Sequence, residues 1–362
     1  MAAPSLYDLS LPELEARVLA TGQPKYRARQ VWEWIYRHLV NTYDEMTNVP
    51  AALRARLAAE LPFPVAEPVR ELASDDELTR KQLIRLHDGQ LIEAVLMLYD
   101  PRSDSRGRAT VCVSSQAGCA MGCYFCATGQ GGFERNLSTG EIVAQVIFFA
   151  RAQRARAGRP ITNVVFMGMG EPLANYGAVW RAIETLHSPE GFNLAARHIT
   201  ISTVGLTQGI RRLAKEPLPV GLAVSLHAPD DALRQQMIAT AYRYPIAEIV
   251  DACQEYARST RRRVTFEYCL IEGVNDAPEH ARALGALLKG LHCHVNLIPV
   301  NPTPDRSIRR PARARTLAFQ RELAARGIAC TVRVEKGVEI AAACGQLRAQ
   351  PAGVEVNSLQ AR

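Results

Sequence analysis

Alternation of strand-like and helix-like segments limits what most of this chain can fold into. From about residue 90 onward, short runs rich in β-branched residues are separated by helical patterns such as "STGEIVAQVIFFARAQRARA" and "PEHARALGALLKGL". The strand-like runs are "ATVCVSS", "ITNVVFMG", "RHITISTVG", "VGLAVSLHA", "RRVTFEYCLI", "HCHVNLIPV" and "ACTVRVE". Strands that alternate with helices form a parallel sheet covered by helices, either open or closed as a barrel. Ligands of such sheets gather where the strands end, so we expect the functional site there.

The first 90 residues have a different pattern, which predicts a small helical module. In "YRARQVWEWIYRHLV", apolar residues recur at the i, i+3, i+4 and i+7 spacing of one helix face. These residues are Trp32, Ile35, Tyr36 and Leu39. Basic residues flank the stripe, namely Lys25, Arg27, Arg29 and Arg37. Such a basic face either contacts a nucleic-acid backbone or is a solvated helix surface.

Composition limits the class of protein to which the chain can belong. With 362 residues, 48% of them hydrophobic, it is long enough to bury a full enzyme core. The N-terminus lacks the basic and then apolar pattern of a secretory leader, and no apolar run approaches the ~18 residues that span a bilayer. We therefore expect a cytoplasmic protein that does not contact a membrane and whose thiols stay reduced.

The net charge of +7 comes mostly from arginine, because only five of the 43 basic side chains are lysine. Arginine binds phosphate through a planar fork, but arginine-rich codon usage produces the same excess. Charge alone does not decide between nucleic-acid binding and codon bias. The arginine-rich pieces "RAQRARAGRP" and "DRSIRRPARART" are predicted to be exposed connections.

Four of the nine cysteines lie close together, in "CVSSQAGCAMGCYFC". Cys119, Cys123 and Cys126 form a C-x3-C-x2-C loop that follows a strand-like run, which in a reducing compartment indicates metal binding or redox chemistry. A structural zinc site needs a fourth protein ligand, and no histidine occurs between His87 and His187. A [4Fe-4S] cluster held by three thiolates leaves one iron open for a substrate or cofactor. We therefore favour iron–sulfur over zinc.

The aromatic residue before the last cysteine of "CAMGCYFC" makes this loop resemble the radical S-adenosylmethionine superfamily. A longer ordered series, which covers nearly the whole chain, resembles the RlmN/Cfr family of RNA adenine methyltransferases. The series comprises "VCVSSQAGCAMGCYFCATGQGGFERNLSTGEIVAQV", "GMGEPLANY", "ISTVG", "AVSLHAPDDALR", "RRVTFEYCLIEGVND", "VNLIPVNP" and "AACGQLR", preceded by "GQPKYRARQVWEWIY" and "MTNVP". The resemblance implies an α/β fold with a radical SAM partial (β/α)6 barrel over residues 91–340. It also implies a helical RNA-binding accessory domain over residues 1–90, and a C-terminal segment, residues 341–362, that carries a catalytic cysteine.

The resemblance also assigns cofactors and the residues that bind them. It makes Cys119, Cys123 and Cys126 the ligands of a [4Fe-4S] cluster. S-adenosylmethionine is bound by Gly170, Glu171, Ser202, Ser225, Leu226, His227 and Asn301. The carboxylate of Glu171 accepts from the ammonium group of this cofactor. Without the resemblance, His227 would be assigned to the core.

The implied chemistry depends on two further cysteines. Cys344 receives the methyl group of one S-adenosylmethionine, and a second molecule supplies the radical that activates it, so that two are used per turnover. The activated carbon adds to C2 of adenine, which has no lone pair with which to attack a sulfonium. Cys112 then attacks the Cys344 sulfur, which releases the product and forms a disulfide bond. Glu93 in "LIEAVL" is the candidate base for the ring proton, and its alternative is a surface carboxylate on a strand.

The implied substrates are 23S ribosomal RNA, at the peptidyl transferase centre, and transfer RNA, next to the anticodon. The alternative is Cfr-like methylation at C8 of the same ribosomal adenosine. An electron donor such as flavodoxin or ferredoxin is implied as a partner, and we expect a monomer. The remaining cysteines lie in apolar periodic segments and are predicted to be core residues, namely Cys253, Cys269, Cys293 and Cys330.

Some positions depart from the family pattern. In "IATA", Ala239 and Ala241 replace a proline and an asparagine, and Val338 and Glu339 stand where the family favours an aspartate-rich pair. None of these changes removes a ligand or a catalytic thiol.

Two other functions stay open. A radical mutase or glycyl-radical activase needs no thiol at 344, and an RNA-binding module in which the cysteines hold zinc needs neither distal thiol.

Overall fold

The structure is a computed structural model that describes residues 4–64, 66–99, 107–157, 159–303 and 307–349. The helices within these ranges are α1 (Leu11–Ala20), α2 (Tyr26–Glu33), α3 (Ala51–Glu60), α4 (Ala127–Gln130), α5 (Thr139–Ala157), α6 (Tyr176–His187), α7 (Thr207–Leu213), α8 (Asp231–Met237), α9 (Ile246–Thr260), α10 (Pro278–Leu287) and α11 (Arg313–Ala324). The strands are β1 (Ala66–Ala73), β2 (Thr79–Leu86), β3 (Leu91–Leu98), β4 (Ala109–Cys112), β5 (Gln116–Gly118), β6 (Phe133–Asn136), β7 (Asn163–Phe166), β8 (Ile199–Thr203), β9 (Gly221–Ser225), β10 (Val264–Leu270), β11 (Cys293–Pro299) and β12 (Cys330–Val332).

Ten of these strands form one sheet, in the order β1-β2-β3-β4-β7-β8-β9-β10-β11-β12. From β4 to β12 every neighbouring pair is parallel, whereas β1 to β4 pair antiparallel. Since the two ends of the order, β1 and β12, are not paired with each other, the parallel part is an open, partial barrel. This confirms the expected α/β fold with a partial barrel.

The helices that cover the barrel have one apolar face, as the sequence predicts. In α9 the buried residues include Ile246, Ile249, Val250 and Cys253, which recur at helical spacing and pack against the sheet. The strands inside are buried on both faces, as in β9, where only the terminal residues are partly exposed. The core forms where the apolar faces of the helices pack against the sheet.

The prediction of a helical region as far as residue 90 is wrong for residues 66–86. The helices of the N-terminal region end at Glu60, and β1 and β2 extend the barrel sheet instead. Asp88 and Gly89 form the tight turn between β2 and β3, with Gly89 at a φ of 84°. An Asp-Gly pair between two apolar runs is a hairpin signal, so the sequence did contain this information.

Arginines of α5 attach the N-terminal helices to the barrel. Arg151 donates to the carbonyl groups of Leu39 and Val40 at 2.7 and 2.9 Å. Arg154 donates to two further carbonyls of the preceding turn, those of Arg37 and His38. The prediction that "RAQRARAGRP" is an exposed connection is therefore wrong in its first half, which forms the last turns of α5 and holds the N-terminal region in place.

The basic face of the N-terminal helices is occupied by contacts within the chain. Lys25 and Arg29 form ion pairs with Glu15, and Arg37 pairs with Glu33. Arg27 donates to the side chain of Gln30 and to the backbone of Asn48. These ion pairs lie at the surface, where the side chains of Lys25, Arg29 and Arg37 are 52–65% exposed. Among the described residues, no helix is long and apolar enough to cross a bilayer.

Candidate active site

A cavity of about 1020 Å³ opens at the carboxyl ends of the parallel strands. Its wall is built by the residues that follow β7, β8, β9 and β11, together with the cysteine loop and part of the C-terminal segment. This is the edge at which ligands of parallel sheets bind. The cavity brings together most of the residues that the sequence singled out, in particular Cys119, Cys123, Cys126, Gly170, Glu171, Ser202, Ser225, His227, Asn301 and Cys344.

The cysteine loop, residues 119–126, presents three free thiols to this cavity. Burial raises the pKa of Cys119 to about 12 and the pKa of Cys123 well above its usual range. A buried thiolate needs a cationic partner, because desolvation disfavours the charged form. Met121 and Phe125 of the loop pack in an apolar cluster with Met237, Ile238 and Val300. The loop therefore holds its thiols ready for a cationic centre in a largely dry environment.

The segment 238–241, which departs from the family pattern, packs directly on this loop. Cys123 forms a β-bridge with Ile238, and the hydroxyl of Thr240 donates to the carbonyl of Met121. A Cβ atom at Gly122 would lie 2.9 Å from the side chain of Ala239. The small residue at 239 thus allows a close approach of two loops, so the departure affects the surroundings of the thiols and leaves the thiols themselves in place.

The glycine turn after β7 places a carboxyl group in the cavity wall. Gly170 has a φ of 99°, and a Cβ atom there would lie 2.5 Å from the side chain of Gln116, so the turn requires glycine. Burial raises the pKa of Glu171 to about 7, although backbone N–H groups of Val204 and Leu173 donate to its oxygens and oppose the shift. A buried carboxyl group in this state is able to receive a cationic ligand group.

His227 lies in the wall as a neutral hydrogen-bond donor. Its Nδ1 accepts from the backbone N–H of Cys269 at 2.9 Å, so the remaining proton is on Nε2. Burial, with a smaller contribution from Arg234, lowers the pKa of His227 to about 3. The residue has a φ of 63°, a conformation that side chains other than glycine adopt rarely and that occurs preferentially at functional sites.

Leu226 is the one predicted cofactor residue that the structure keeps out of the cavity wall. Its side chain is fully buried, its backbone N–H donates to the carbonyl of Glu267, and its own carbonyl accepts from Arg234. These contacts fix the end of β9, and they leave neither polar group of the Leu226 backbone for a ligand.

A second cavity, of about 580 Å³, adjoins the first and contains both distal thiols. Cys112, the last residue of β4, and Cys344 line it together, and Cys344 lines the first cavity as well. Cys112 is buried, and Cys344 is exposed. Burial raises the pKa of Cys112 to about 12, the nearby Cys344 raises it further, and Arg333 opposes both effects. The two thiols thus share the wall of one cavity, as the disulfide bond implied by the family resemblance requires.

Cys344 lies in a segment without regular secondary structure, residues 341–348, which we call the carrier segment. Its backbone accepts hydrogen bonds from the cysteine-loop side, where Ala127 N–H donates to Gly345 and the Thr128 hydroxyl donates to Leu347, at 2.7 and 2.6 Å. Asn301 Nδ2 donates to the carbonyl of Cys344 itself at 3.0 Å. The first turn of α4 and the side chain of Asn301 thus hold this part of the chain against the barrel.

Glu93, the candidate base, lines neither cavity. It lies on β3, with a side chain that is only 6% exposed, so it is not the surface carboxylate of the alternative interpretation. One of its oxygens contacts Lys81 Nζ at 2.9 Å, and the other accepts from the backbone N–H of Arg348 at 2.7 Å. Both oxygens are therefore occupied by contacts within the chain.

Three residues of the cavity walls with polar or ionisable side chains have no site role in the sequence analysis: Arg333, Glu267 and Cys269. Arg333 lines both cavities, and it follows the last residue of β12, where the rule for parallel strands places ligand contacts. Glu267 on β10 lines the first cavity, and burial raises its pKa while Arg333 opposes the shift. Cys269 was predicted to be a core residue only, but it lines the first cavity as well as being buried.

Comparisons with known proteins agree with this site. The family model described as "Radical SAM superfamily" matches residues 113–284, and the model described as "Ribosomal RNA large subunit methyltransferase N-terminal domain" matches residues 5–61. A "Probable dual-specificity RNA methyltransferase RlmN" of Roseiflexus castenholzii is 52% identical, over 95% of this chain and 96% of its own. A protein with the same description in Chloroflexus aurantiacus is 53% identical, over 94% and 92%. The crystal structure of a radical SAM methyltransferase from Sphaerobacter thermophilus superposes with a TM-score of 0.92, at 55% identity over 96% of this chain and all of that one.

The partial barrel and its three-thiol loop are those of the radical SAM superfamily, whose members bind a [4Fe-4S] cluster and S-adenosylmethionine. Within that superfamily, the chain belongs to the RlmN family of RNA methyltransferases.

The donor groups of the cavity fit these two cofactors. The thiolates that bind an iron–sulfur cluster each lie on a different iron atom, and the three thiols of the cysteine loop line one cavity. Asn301 Oδ1 is buried without a hydrogen-bond partner, as expected of an acceptor whose donor is supplied by a ligand. With S-adenosylmethionine bound, Glu171 would offer its carboxyl group to the ammonium group and His227 would offer an N–H donor.

Proposed function

We propose that this protein methylates C2 of an adenine in 23S ribosomal RNA and in transfer RNA, with the methyl group carried on Cys344. The observation that carries the proposal is the position of Cys344, which lines both the cavity of the cysteine loop and the adjoining cavity of Cys112. A thiol in this position can receive a methyl group on one side and present it to a base on the other. The residues assigned to the site by the family resemblance remain proposals, each with the contacts given above.

The cofactors, when bound, supply a methyl group and the one-electron chemistry that activates it. Cys344 exchanges its thiol proton for the methyl group, and this carbon, after the loss of one hydrogen atom, bonds to C2 of the base. The adduct returns one electron to the one-electron chemistry that the cofactors supply and gives its C2 proton to a proton acceptor, which restores the aromatic ring. Cys112 then attacks the Cys344 sulfur, so that a disulfide bond forms while the bond between that sulfur and the transferred carbon breaks. The electron pair of the broken bond stays on the carbon, which takes a proton and becomes the methyl group of the product.

The substrate assignment rests on the relatives. Their description as dual-specificity enzymes, and the description of the N-terminal family model, support ribosomal RNA together with a second RNA, for which we propose transfer RNA. We also propose a monomer that receives electrons from a small donor such as flavodoxin or ferredoxin.

Analysis of modified nucleosides tests the proposal. Ribosomal and transfer RNA from cells with and without the gene are digested, and the methylated adenosines are separated and identified by mass spectrometry against C2 and C8 standards. We expect 2-methyladenosine in both RNA pools, lost from both on deletion and restored by the wild-type gene but not by Cys344→Ala. Methylation at C8 instead, or RNA that is unchanged on deletion, would overturn the proposal.

A further inference from the structure

We propose that the buried ion pair of Lys81 and Glu93 is a latch that fixes the carrier segment and thereby positions Cys344. The inference deepens the proposed function and rests on it. Lys81 and Glu93 are positioning residues in this account, because they contact the segment that carries the thiol and line neither cavity.

The pair holds the carrier segment at both of its ends. Lys81 Nζ donates to the carbonyl of Ala341 at 3.1 Å, three residues before the thiol. Glu93 accepts from the backbone N–H of Arg348 at 2.7 Å, four residues after it. Because Lys81 and Glu93 are also 2.9 Å apart, the two ends of the segment are joined through a single ion pair.

The position of the pair in the sheet makes it rigid. Lys81 on β2 lies opposite Val95 of β3, and Glu93 lies opposite Leu83, so the two charged residues are diagonal neighbours on one face of an antiparallel ladder. Their side chains are 9% and 6% exposed. A buried ion pair contributes little net stability by itself, since desolvation of the two charges offsets their attraction. The buried position of the pair in the sheet is explained if the pair fixes the conformation of the carrier segment.

This role differs from that of a base. A base for the ring proton must face the substrate, whereas the Glu93 side chain lies outside both cavities and binds the backbone N–H of Arg348. The two roles also predict different behaviour at Lys81. If Glu93 acts as a base, a variant that changes only Lys81 keeps the catalytic carboxyl group, but if the pair is a latch, the same variant releases the carrier segment.

The test uses full-length protein with its cluster reconstituted, in four variants. Lys81→Met breaks the latch, Lys81→Arg retains a cation that can donate to both partners, and Lys81→Met/Glu93→Leu replaces the whole pair with apolar side chains. The double variant guards against misfolding, since such replacements are often neutral or stabilising. Arg80→Met is the matched control, because Arg80 is the neighbour of Lys81 on β2 and pairs with Glu71 and Glu77 instead of the carrier segment.

Two quantities are measured: amide hydrogen exchange in a peptide that covers residues 341–348, and the single-turnover rate of methyl transfer to RNA. We expect exchange in this peptide to rise by about tenfold or more in Lys81→Met and in the double variant, as loss of charge-assisted hydrogen bonds implies. The transfer rate should fall by a similar factor in both. Lys81→Arg should stay within about threefold of wild type, and Arg80→Met should change neither quantity.

The latch would be overturned if amide hydrogen exchange in residues 341–348 were unchanged in the double variant. It would also be overturned if Lys81→Met transferred the methyl group to RNA at the wild-type rate. The exchange measurement needs no RNA, so it remains decisive even if the wild-type protein fails to methylate adenine. That failure would sink the proposed function and leave the latch to be judged by exchange alone.

Discussion

The cysteine loop and the carrier segment bring thiols to the same cavity by different means. The cysteine loop places three thiols within eight consecutive residues, and its Met121 and Phe125 pack in an apolar cluster. The carrier segment places one exposed thiol, and its anchors come from residues that are 43 to 260 positions away in the chain. The spacing of the loop thiols is thus specified by local sequence, although the segment 238–241 packs on the loop, whereas the carrier segment acquires its position only when the barrel has formed. A fixed site suits a cluster that must stay bound, and a segment held by a few hydrogen bonds suits a thiol whose sulfur changes its bonding partners.

The largest effect is expected on iron content, when removal of a cysteine-loop thiol is compared with removal of a core thiol. Cys123→Ala removes one of three cluster ligands, so we expect iron content after anaerobic reconstitution to fall to a small fraction of wild type, with cleavage of S-adenosylmethionine abolished. The matched control is Cys253→Ala, which removes a fully buried thiol from α9 and should leave iron content unchanged. If Cys123→Ala still binds wild-type amounts of iron and sulfide, the cysteine loop is not the cluster site.

A substitution in the carrier segment should affect transfer without affecting the cluster. Gly345 has a φ of 81°, and a Cβ atom there would lie 3.3 Å from the carbonyl oxygen of Phe125 in the cysteine loop. We expect Gly345→Ala to bind iron normally and to lower the single-turnover rate by about tenfold or more, since displacement of a reacting group by ~1 Å has effects of this size. Gly327→Ala is the control: its φ is 75°, but nothing lies within 4 Å of the added atom. Equal rates in the two variants would show that backbone strain at a positive φ, and not the contact between the two loops, lowers the transfer rate.

The pH dependence of cofactor binding tests Glu171. Burial raises the pKa of its carboxyl group to about 7, so the group is protonated below that pH in the free protein. Only the carboxylate binds an ammonium group well, and affinity for S-adenosylmethionine should therefore fall by about tenfold per pH unit as the pH is lowered below 7. Glu171→Gln should bind more weakly at pH 7.5 and lose this slope. Glu267→Gln, which changes another buried carboxyl group of the same cavity, should keep it. A slope that survives in Glu171→Gln would assign the titration to another group.

The smallest effect concerns the attachment of the N-terminal helices. Arg151→Met removes hydrogen bonds to Leu39 and Val40, and we expect the free energy of unfolding to fall by about 1–3 kcal/mol. Arg156→Met, on the same helix, breaks only a partly exposed pair with Glu71 and should cost less than about 1 kcal/mol. Chemical denaturation of the two variants side by side measures the difference, and equal losses would mean that Arg151 has no special role in attachment.

The same contrast explains how much could be predicted from the sequence. The parallel strands and their covering helices follow from local periodicity, and the spacing of Cys119, Cys123 and Cys126 is visible in one loop. At residues 66–86 the sequence predicts helix where the structure has strands, because short apolar runs fit either structure. Pairing of β2 with β3 in the folded protein makes this region part of the sheet. Other features depend on tertiary contacts that no local pattern contains. They are the position of Leu226 outside the cavity, the position of Cys269 in its wall, and the contact of Lys81 with Ala341.

Covalent capture of the reaction on Cys344 tests the central claim most directly. Cys112→Ala is expressed, purified under denaturing conditions, treated with nuclease and digested with protease, and the peptides are examined by mass spectrometry. We expect the peptide that contains Cys344 to carry a nucleotide joined through one carbon atom, because without the Cys112 thiol the bond between sulfur and carbon is not broken. The double variant Cys112→Ala/Cys344→Ala, prepared in the same way, should carry no nucleotide. An adduct on Cys269 or another cysteine, or normal turnover by Cys112→Ala without any adduct, would contradict the roles assigned to the two thiols.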